Sequence, residues 1–221
     1  MSRSLEARSD GRLIPGLVLA GMVLFASLLV ALHLLRPDYD PARRFLSEYA
    51  TGRASGLMTS AFVLAGSAVA TLALQLARSL SASRPRTLGC LLLAGAGATD
   101  LLMAVFRGDL SALPRIRTWT GHVHDGLSAV HALSWLLAAW VVPRALHADT
   151  VLRSFAGASA RWGLAIAAAS AGYLAVRWSC PGLGQRVWVA TLVGWCVAHA
   201  WALPVGPRVR QVMAKGVEFT G

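Results

Sequence analysis

Charge is scarce in this chain of 221 residues. Only 14% of the residues are charged and 56% are hydrophobic, whereas soluble globular domains carry about 25% charged residues. This composition excludes an ordinary soluble domain. Cysteine is rare as well, since Cys90, Cys180 and Cys196 are the only three and none forms a CxxC pair. The sequence therefore offers neither a thiolate zinc motif nor an evident disulfide, and it leaves the redox compartment open.

Long apolar runs dominate what is present. A helix crosses a bilayer with roughly 20 apolar residues, and such runs lie at about 13–35, 56–77, 88–106, 119–142, 162–176 and 187–206. The runs are rich in Ala, Leu and Gly, and a lipid-exposed strand edge would leave backbone groups unpaired. The predicted fold is all-α: a polytopic membrane bundle of six transmembrane helices over residues 13–206.

Small residues and tryptophans indicate how this bundle packs. The segments "AGSAVA" (65–70) and "AGAGA" (94–98) predict close approach of helices. Trp119, Trp162, Trp178 and Trp188 lie near predicted span ends and are typical of an interfacial belt. The other four tryptophans, Trp135, Trp140, Trp195 and Trp201, are expected to be packing residues.

Basic residues near span ends predict the orientation. With the amino terminus inside, twelve Lys and Arg residues flank the inner face and nine the outer face, a mild bias that places both termini in the cytoplasm. Residues 1–12 then form a cytoplasmic segment, 207–221 a cytoplasmic tail, and the first run a retained helix rather than a cleaved signal peptide. The net charge of +11 is dispersed over both faces, so the expected partner is membrane lipid and not nucleic acid.

Polar residues collect at the predicted outer face. Ser47 and Glu48 precede the second span, Asp109 follows the third, and the stretch "TWTGHVHDGLSAVH" (118–131) opens the fourth with His122, His124 and Asp125. Gln185 and Arg186 open the sixth span. Their coincidence at one face predicts a shared polar pocket.

Two ionisable residues lie deeper in the bilayer. Asp100 sits inside the third span, and His131 follows His124 by seven residues, nearly two helical turns, so that these two histidines and Ser128 share one face. Ionisable groups within spans cost several kcal/mol and usually face a bundle interior or a water-filled cavity. We therefore expect Asp100 to have a polar partner, for which His124, His131 and Arg186 are the candidates.

Two chemistries compete for these groups. A zinc site on one helix favours histidines at i and i+4, but His124 and His131 are about 10.5 Å apart along the axis, so the metal content stays open and no cofactor is identified. Acid–base chemistry needs only a histidine near a carboxylate, shielded from water. Ser47 has a simpler explanation than catalysis, because a serine before a helix is a common N-cap.

The motifs "PDYDPARRFLSEYATG" (37–52), "FRGD" (106–109), "TGHVH" (120–124) and "GLGQR" (182–186) together resemble the prokaryotic membrane proteins grouped as the domain of unknown function 998 family. The resemblance covers about residues 14–206. It implies a multi-pass protein of the prokaryotic cytoplasmic (inner) membrane and no known reaction. It also implies that the Ser47–Glu48 pair, Asp109, His124 and Arg186 are signature positions.

Three functions remain open from the sequence. The first is a polar pocket at the outer face that binds or acts on a lipid, an amphiphile or a small molecule. In it His124 is the candidate acid or base, Glu48 and Asp109 are candidate catalytic partners, and Ser47, Asp100, His131, Gln185 and Arg186 are candidate binding residues. The second is transport or proton relay through Asp100 and His131. The third is a structural membrane partner.

Overall fold

The described part of the chain folds into a bundle of six α-helices. The computed structural model describes residues 2–110 and 117–203, with side chains from residue 13 onward. The helices are α1 (Ser2–Leu35), α2 (Ser55–Ser79), α3 (Arg84–Met103), α4 (Trp119–His147), α5 (Arg153–Val176) and α6 (Pro181–Ala202), and a short 3-10 helix spans Leu46–Ala50. No strand occurs in the described ranges, so the all-α prediction is confirmed.

The helices match the predicted runs in number and order. Helix α1 begins at Ser2 and so continues through the segment predicted to precede the first span, while the predicted tail at 207–221 lies outside the described residues. Among the described residues, four helical segments are long and apolar enough to cross a membrane: Leu13–Leu35, α2, α3 and α4. Helices α5 and α6 are not among these four, so their role as spans stays a prediction; α6 carries Gln185, Arg186 and His199 among its apolar residues.

Apolar side chains cover the outside of the bundle. Leu34, Val105 and Leu164 are each at least 70% exposed, which suits a lipid environment and would be costly in water. Trp135 and Trp195 are fully buried, as expected, with ring centroids 5.4 Å apart. Trp140 and Trp201 are 65% and 83% exposed, so the prediction that they pack in the interior is wrong. Their positions on α4 and α6 face outward, away from the core.

Sequential packing closes the bundle. Each helix contacts the next along the chain, and α6 returns to contact α1 and α2. Gly66 of α2 and Gly97 of α3 approach each other closely, because a Cβ at Gly97 would lie 2.7 Å from the carbonyl oxygen of Gly66. The two small-residue segments therefore meet each other, as their composition predicts.

Buried polar groups hold the end of the bundle opposite the candidate site. Asp149 is buried, and its Oδ2 accepts a hydrogen bond from the backbone amide of Ser81 at 2.9 Å. Gln75 donates to the carbonyls of Ala200 and Leu203 at the end of α6. These bonds link the α2–α3 and α4–α5 connections and fix the end of α6.

Candidate functional site

The segment between α1 and α2 folds over the first turn of α6. The Oε1 atom of Gln185 accepts a hydrogen bond from the amide of Leu46 at 2.6 Å, and the amide of Leu183 donates to Ala42 at 3.2 Å. Gly182 permits this approach, since a Cβ there would lie 2.3 Å from the carbonyl oxygen of Arg44. Residues 36–54, which we call the cap segment, thus cover one end of the bundle.

Arg186 fastens the cap segment to two helices. Its Nε donates to Nε2 of His33 at 2.8 Å, and its Nη1 donates to the carbonyls of Arg44 at 2.8 Å and Gly182 at 2.9 Å. The ring of His33 is fixed for this purpose, because its Nδ1 lies 2.6 Å from the carbonyl of Leu29 and must donate there. Arg186 therefore binds protein groups from α1, the cap segment and α6.

His33 was not singled out in the sequence. It lies one turn before Arg36 at the end of an apolar helix, where a histidine resembles an interfacial residue. Only the folded contact with α6 reveals its role.

Glu48 is 1% exposed and lies within the cap segment. Its Oε2 is 2.9 Å from Nη1 of Arg44, and its Oε1 accepts from the amide of Phe45 at 3.4 Å. The carboxylate thus closes a turn of the 3-10 helix and pairs with a basic residue one turn earlier. Ser47, beside it, lies inside that 3-10 helix; it does not cap α2, whose N-cap is Ala54 with φ 63°. The N-cap interpretation of Ser47 is therefore wrong.

Arg36 orders the two ends of the cap segment. It forms a bidentate pair with Asp38 and donates through Nη1 to the carbonyls of Thr51 and Arg53. The hydrogen bonds from Arg36 lower the pKa of Asp38, and the same pairing raises the pKa of the Arg36 guanidinium. Both groups remain charged at neutral pH, so the ion pair between Arg36 and Asp38 is intact at that pH.

Asp109 holds the start of α4. Its Oδ1 accepts from the hydroxyl of Thr118 at 2.7 Å and its Oδ2 accepts from the amide of Thr118 at 2.9 Å. These bonds lower the pKa of Asp109. Thr118 in turn caps α4 by accepting from the amide of Gly121 at 3.0 Å, and Gly121 leaves the space that the carboxylate occupies. Asp109 is therefore bound at the positive end of a helix dipole.

His124 occupies a different position, because it is 4% exposed and faces inward. Its Nδ1 lies 2.9 Å from the carbonyl oxygen of Phe106. A carbonyl can only accept, so Nδ1 carries the proton and Nε2 is left as an acceptor. Gly108 packs against the ring, since a Cβ there would lie 2.9 Å from Cδ2 of His124. The turn after α3 thus fixes both the tautomer and the orientation of this ring.

A cavity of about 110 Å³, partly open to the outside, lies inside the bundle. Helices α1, α2, α3, α4 and α6 and the cap segment contribute to its wall, which is mostly apolar and includes Phe25, Phe62, Val69 and Leu192. Five of the eight candidate site residues line it: Ser47, Asp100, His124, His131 and Gln185. Glu48, Asp109 and Arg186 are not among the lining residues. The outer polar residues are therefore divided between the cavity wall and the contacts that hold the ends of the helices.

The inner part of the cavity contains an Asp–His pair. Nδ1 of His131 lies 3.5 Å from Oδ1 of Asp100, 3.1 Å from Oγ1 of Thr99 and 3.3 Å from the carbonyl of Ala96. The Thr99 hydroxyl donates to Ala96, so Nδ1 of His131 acts as the donor in this group. The expected polar partner of Asp100 is thus His131. Both side chains are about 10% exposed.

Tryptophans surround this pair. The ring of Trp188 lies 5.7 Å and that of Trp135 6.3 Å from the His131 ring, both edge to face, and both tryptophans line the cavity. The Nε1 atom of Trp135 is buried without a hydrogen-bond partner among the described residues. The sequence analysis placed Trp188 in an interfacial belt and Trp135 in packing. The signal that connects Trp135 to the cavity is its spacing of four residues after His131, on the same helical face.

His199 lies outside this cavity. Its Nδ1 is 2.8 Å from the carbonyl of Trp195, and its Nε2 is 2.8 Å from the hydroxyl of Ser159. Both histidine nitrogens and the serine are fully packed between α5 and α6. This Ser–His pair therefore joins two helices and has no room for a substrate.

Within the described ranges, no group of three His, Cys, Asp or Glu side chains is placed to hold a metal ion.

A family model with the description "Protein of unknown function (DUF998)" matches residues 19–202. Comparison with curated protein sequences and with solved structures finds no significant match.

Proposed function

From the premise that this chain belongs to the DUF998 family, we propose that the protein binds a lipid or another amphiphile in the cavity, with His124 as an acid or base. The cavity carries the proposal. It combines a long apolar wall with the side chains of Ser47, Gln185 and His124 at one end and Asp100 and His131 further in. Ligand pockets in proteins have this character, with a few placed polar groups in an apolar wall.

His124 is suited to proton transfer by its fixed tautomer. Nδ1 donates to Phe106, so Nε2 is available to accept a proton from a bound group and to return it. Glu48 and Asp109, the carboxylates predicted beside it, serve this proposal indirectly. Glu48 supports the cap segment, and Asp109 supports the first turn of α4, directly before the turn that carries His124.

The binding part of the proposal is tested by filling the cavity. Val193 lines the cavity, whereas Val197, one turn later on α6, is 36% exposed and does not line it. We expect V193W to lose a lipid that co-purifies with the wild-type protein in mild detergent, and V197W to retain it. Native mass spectrometry reports the adduct and its mass. An adduct that is equally abundant in both variants contradicts the proposal.

The acid–base part is tested with a pair of histidines on one helix. His122 is exposed and lies two residues before the buried His124. We expect H122Q to restore the lipid composition of a deletion strain and H124Q to fail, although both are present at wild-type levels in the membrane. Full restoration by H124Q would remove the catalytic role and leave the binding role in place.

A second candidate is proton relay or transport through Asp100 and His131. The distance of 3.5 Å between their side chains inside an apolar cavity favours it, because paired ionisable groups within spans often mark proton pathways. Proteoliposomes with a pH gradient test it: D100N should abolish a flux that the wild-type protein supports. Absence of any flux that depends on Asp100 excludes this candidate.

A further inference from the structure

We propose that the ligand of the cavity is a cationic amphiphile, an apolar body that carries a protonated amine, and that the amine lies against Asp100. This inference rests on the proposed function, because it names the chemical class of the molecule that the cavity takes. It follows from the charges, the contacts and the aromatic rings of the inner part.

The charges of the wall exclude an anionic headgroup. Among the described residues, Asp100 is the one Asp or Glu that lines the cavity, and no Arg or Lys lines it. The two arginines of the cap region are engaged elsewhere: Arg186 with His33 and backbone carbonyls, and Arg44 with Glu48. A phosphate or carboxylate would therefore enter an apolar space without a permanent positive charge to compensate it, which is costly.

The contacts of Asp100 leave room for a cation. Among the described residues its side chain has one close polar contact beyond its own helix, to His131 at 3.5 Å, and His131 lies closer to Thr99 than to the carboxyl group. A carboxylate offers about four acceptor positions, and an ammonium group offers three donors. An amine at this position would supply the charge and the hydrogen bonds that His131 does not.

Aromatic rings flank the same place. Trp188 and Trp135 pack edge to face against the His131 ring, with centroids 5.7 and 6.3 Å away, and both line the cavity. Indole rings attract cations, so an amine beside His131 would have aromatic neighbours. His124 lies about 10.5 Å from His131 along the helix axis, and the apolar residues Phe25, Phe62 and Val189 also line the cavity. The apolar body of the ligand would contact these residues.

Three probes with one chain length test the inference: octylamine, octanol and octanoate. Their binding to the purified full-length protein is measured at pH 7 as displacement of the co-purifying lipid in native mass spectrometry. We expect octylamine to bind at least about tenfold more tightly than octanoate, since a charge-assisted hydrogen bond is of that magnitude. The cavity-filled V193W should bind none of the three, which separates cavity binding from partition into the micelle.

The variant D100N tests whether the amine of the ligand lies against Asp100. It should lower octylamine affinity by about tenfold and leave octanol affinity unchanged, whereas D125N, which removes an exposed carboxylate on α4, should change neither. If the D100N protein does not fold, the ranking of the three probes by affinity for the wild-type protein alone decides whether the cavity prefers a cation. Equal binding of amine and carboxylate overturns the inference and spares the proposed function. Binding of none of the probes, with no co-purifying lipid, overturns both.

Discussion

Replacing Arg186 tests whether this residue holds the fold or the ligand. In R186A the cap segment loses the bonds of the guanidinium to Arg44 and His33, both at 2.8 Å. Bonds to a charged donor contribute about 1.5–3 kcal/mol each. The guanidinium is half-buried, so the lower end of that range applies, and the expected loss is about 3 kcal/mol. Against a total stability of about 5–15 kcal/mol, this loss is large.

The assay is unfolding in mixed micelles of SDS and a mild detergent, followed by tryptophan fluorescence. R177A is the matched control, because Arg177 follows α5, is exposed, and lies over the exposed ring of Trp178. R186K should lie between wild type and R186A, since lysine keeps the charge but cannot bridge two acceptors in fixed directions. An R186A protein that unfolds like R177A, yet loses its co-purifying lipid, would refute the structural role and assign Arg186 to the ligand.

Two further predictions concern close contacts. G97A should lower stability by about 1–3 kcal/mol, a typical cost of overpacking, because its Cβ would lie 2.7 Å from the Gly66 carbonyl. G95A is the control and should leave stability unchanged, because its Cβ would have no atom nearer than 3.9 Å. Thermal unfolding in detergent compares the two variants. Acidification should weaken the start of α4. The pKa of Asp109 lies below its ordinary value of 3.8, so the stabilisation that ionised Asp109 gives to α4 is fully present above pH 3.8. This stabilisation is lost as the pH falls through the lowered pKa. G121A, whose Cβ would collide with this carboxylate, should unfold earlier at pH 7 and lack this acid-dependent loss; an unchanged pH profile in G121A would contradict the assignment.

The helices and the contact between α2 and α3 could be predicted because the information is local. Apolar runs of about 20 residues specify helices in lipid, and small residues at positions 65–70 and 94–98 specify which faces approach. The partner of Asp100 was also within reach, since an ionisable group inside a span requires one. The common face of His124, Ser128 and His131 follows from helical periodicity alone, and all three line the cavity.

The path of the cap segment could not be predicted in this way. Its position depends on contacts between residues about 140 positions apart, such as the amide of Leu46 with Gln185. It also depends on the left-handed backbone of Gly52 and Ala54, which turns the chain into α2 and leaves Ser47 inside a 3-10 helix. Serine before an apolar run is a common N-cap signal, but the left-handed residue at the start of α2 takes the capping position here.

The same geometry explains why adjacent residues in one motif have different roles. Successive residues on a helix point about 100° apart, and in "GLGQR" this turns Gln185 toward the cavity and Arg186 toward His33 and the cap segment. In the cap segment Ser47 lines the cavity while Glu48 pairs with Arg44. In each pair, therefore, one residue can contact a ligand and its neighbour fixes the backbone that holds it. Substitution of Arg186 or Glu48 should thus alter binding only through the position of its neighbour, and S47A should alter binding without loss of stability. Q185A, which removes the acceptor of the Leu46 amide, should lower both binding and stability.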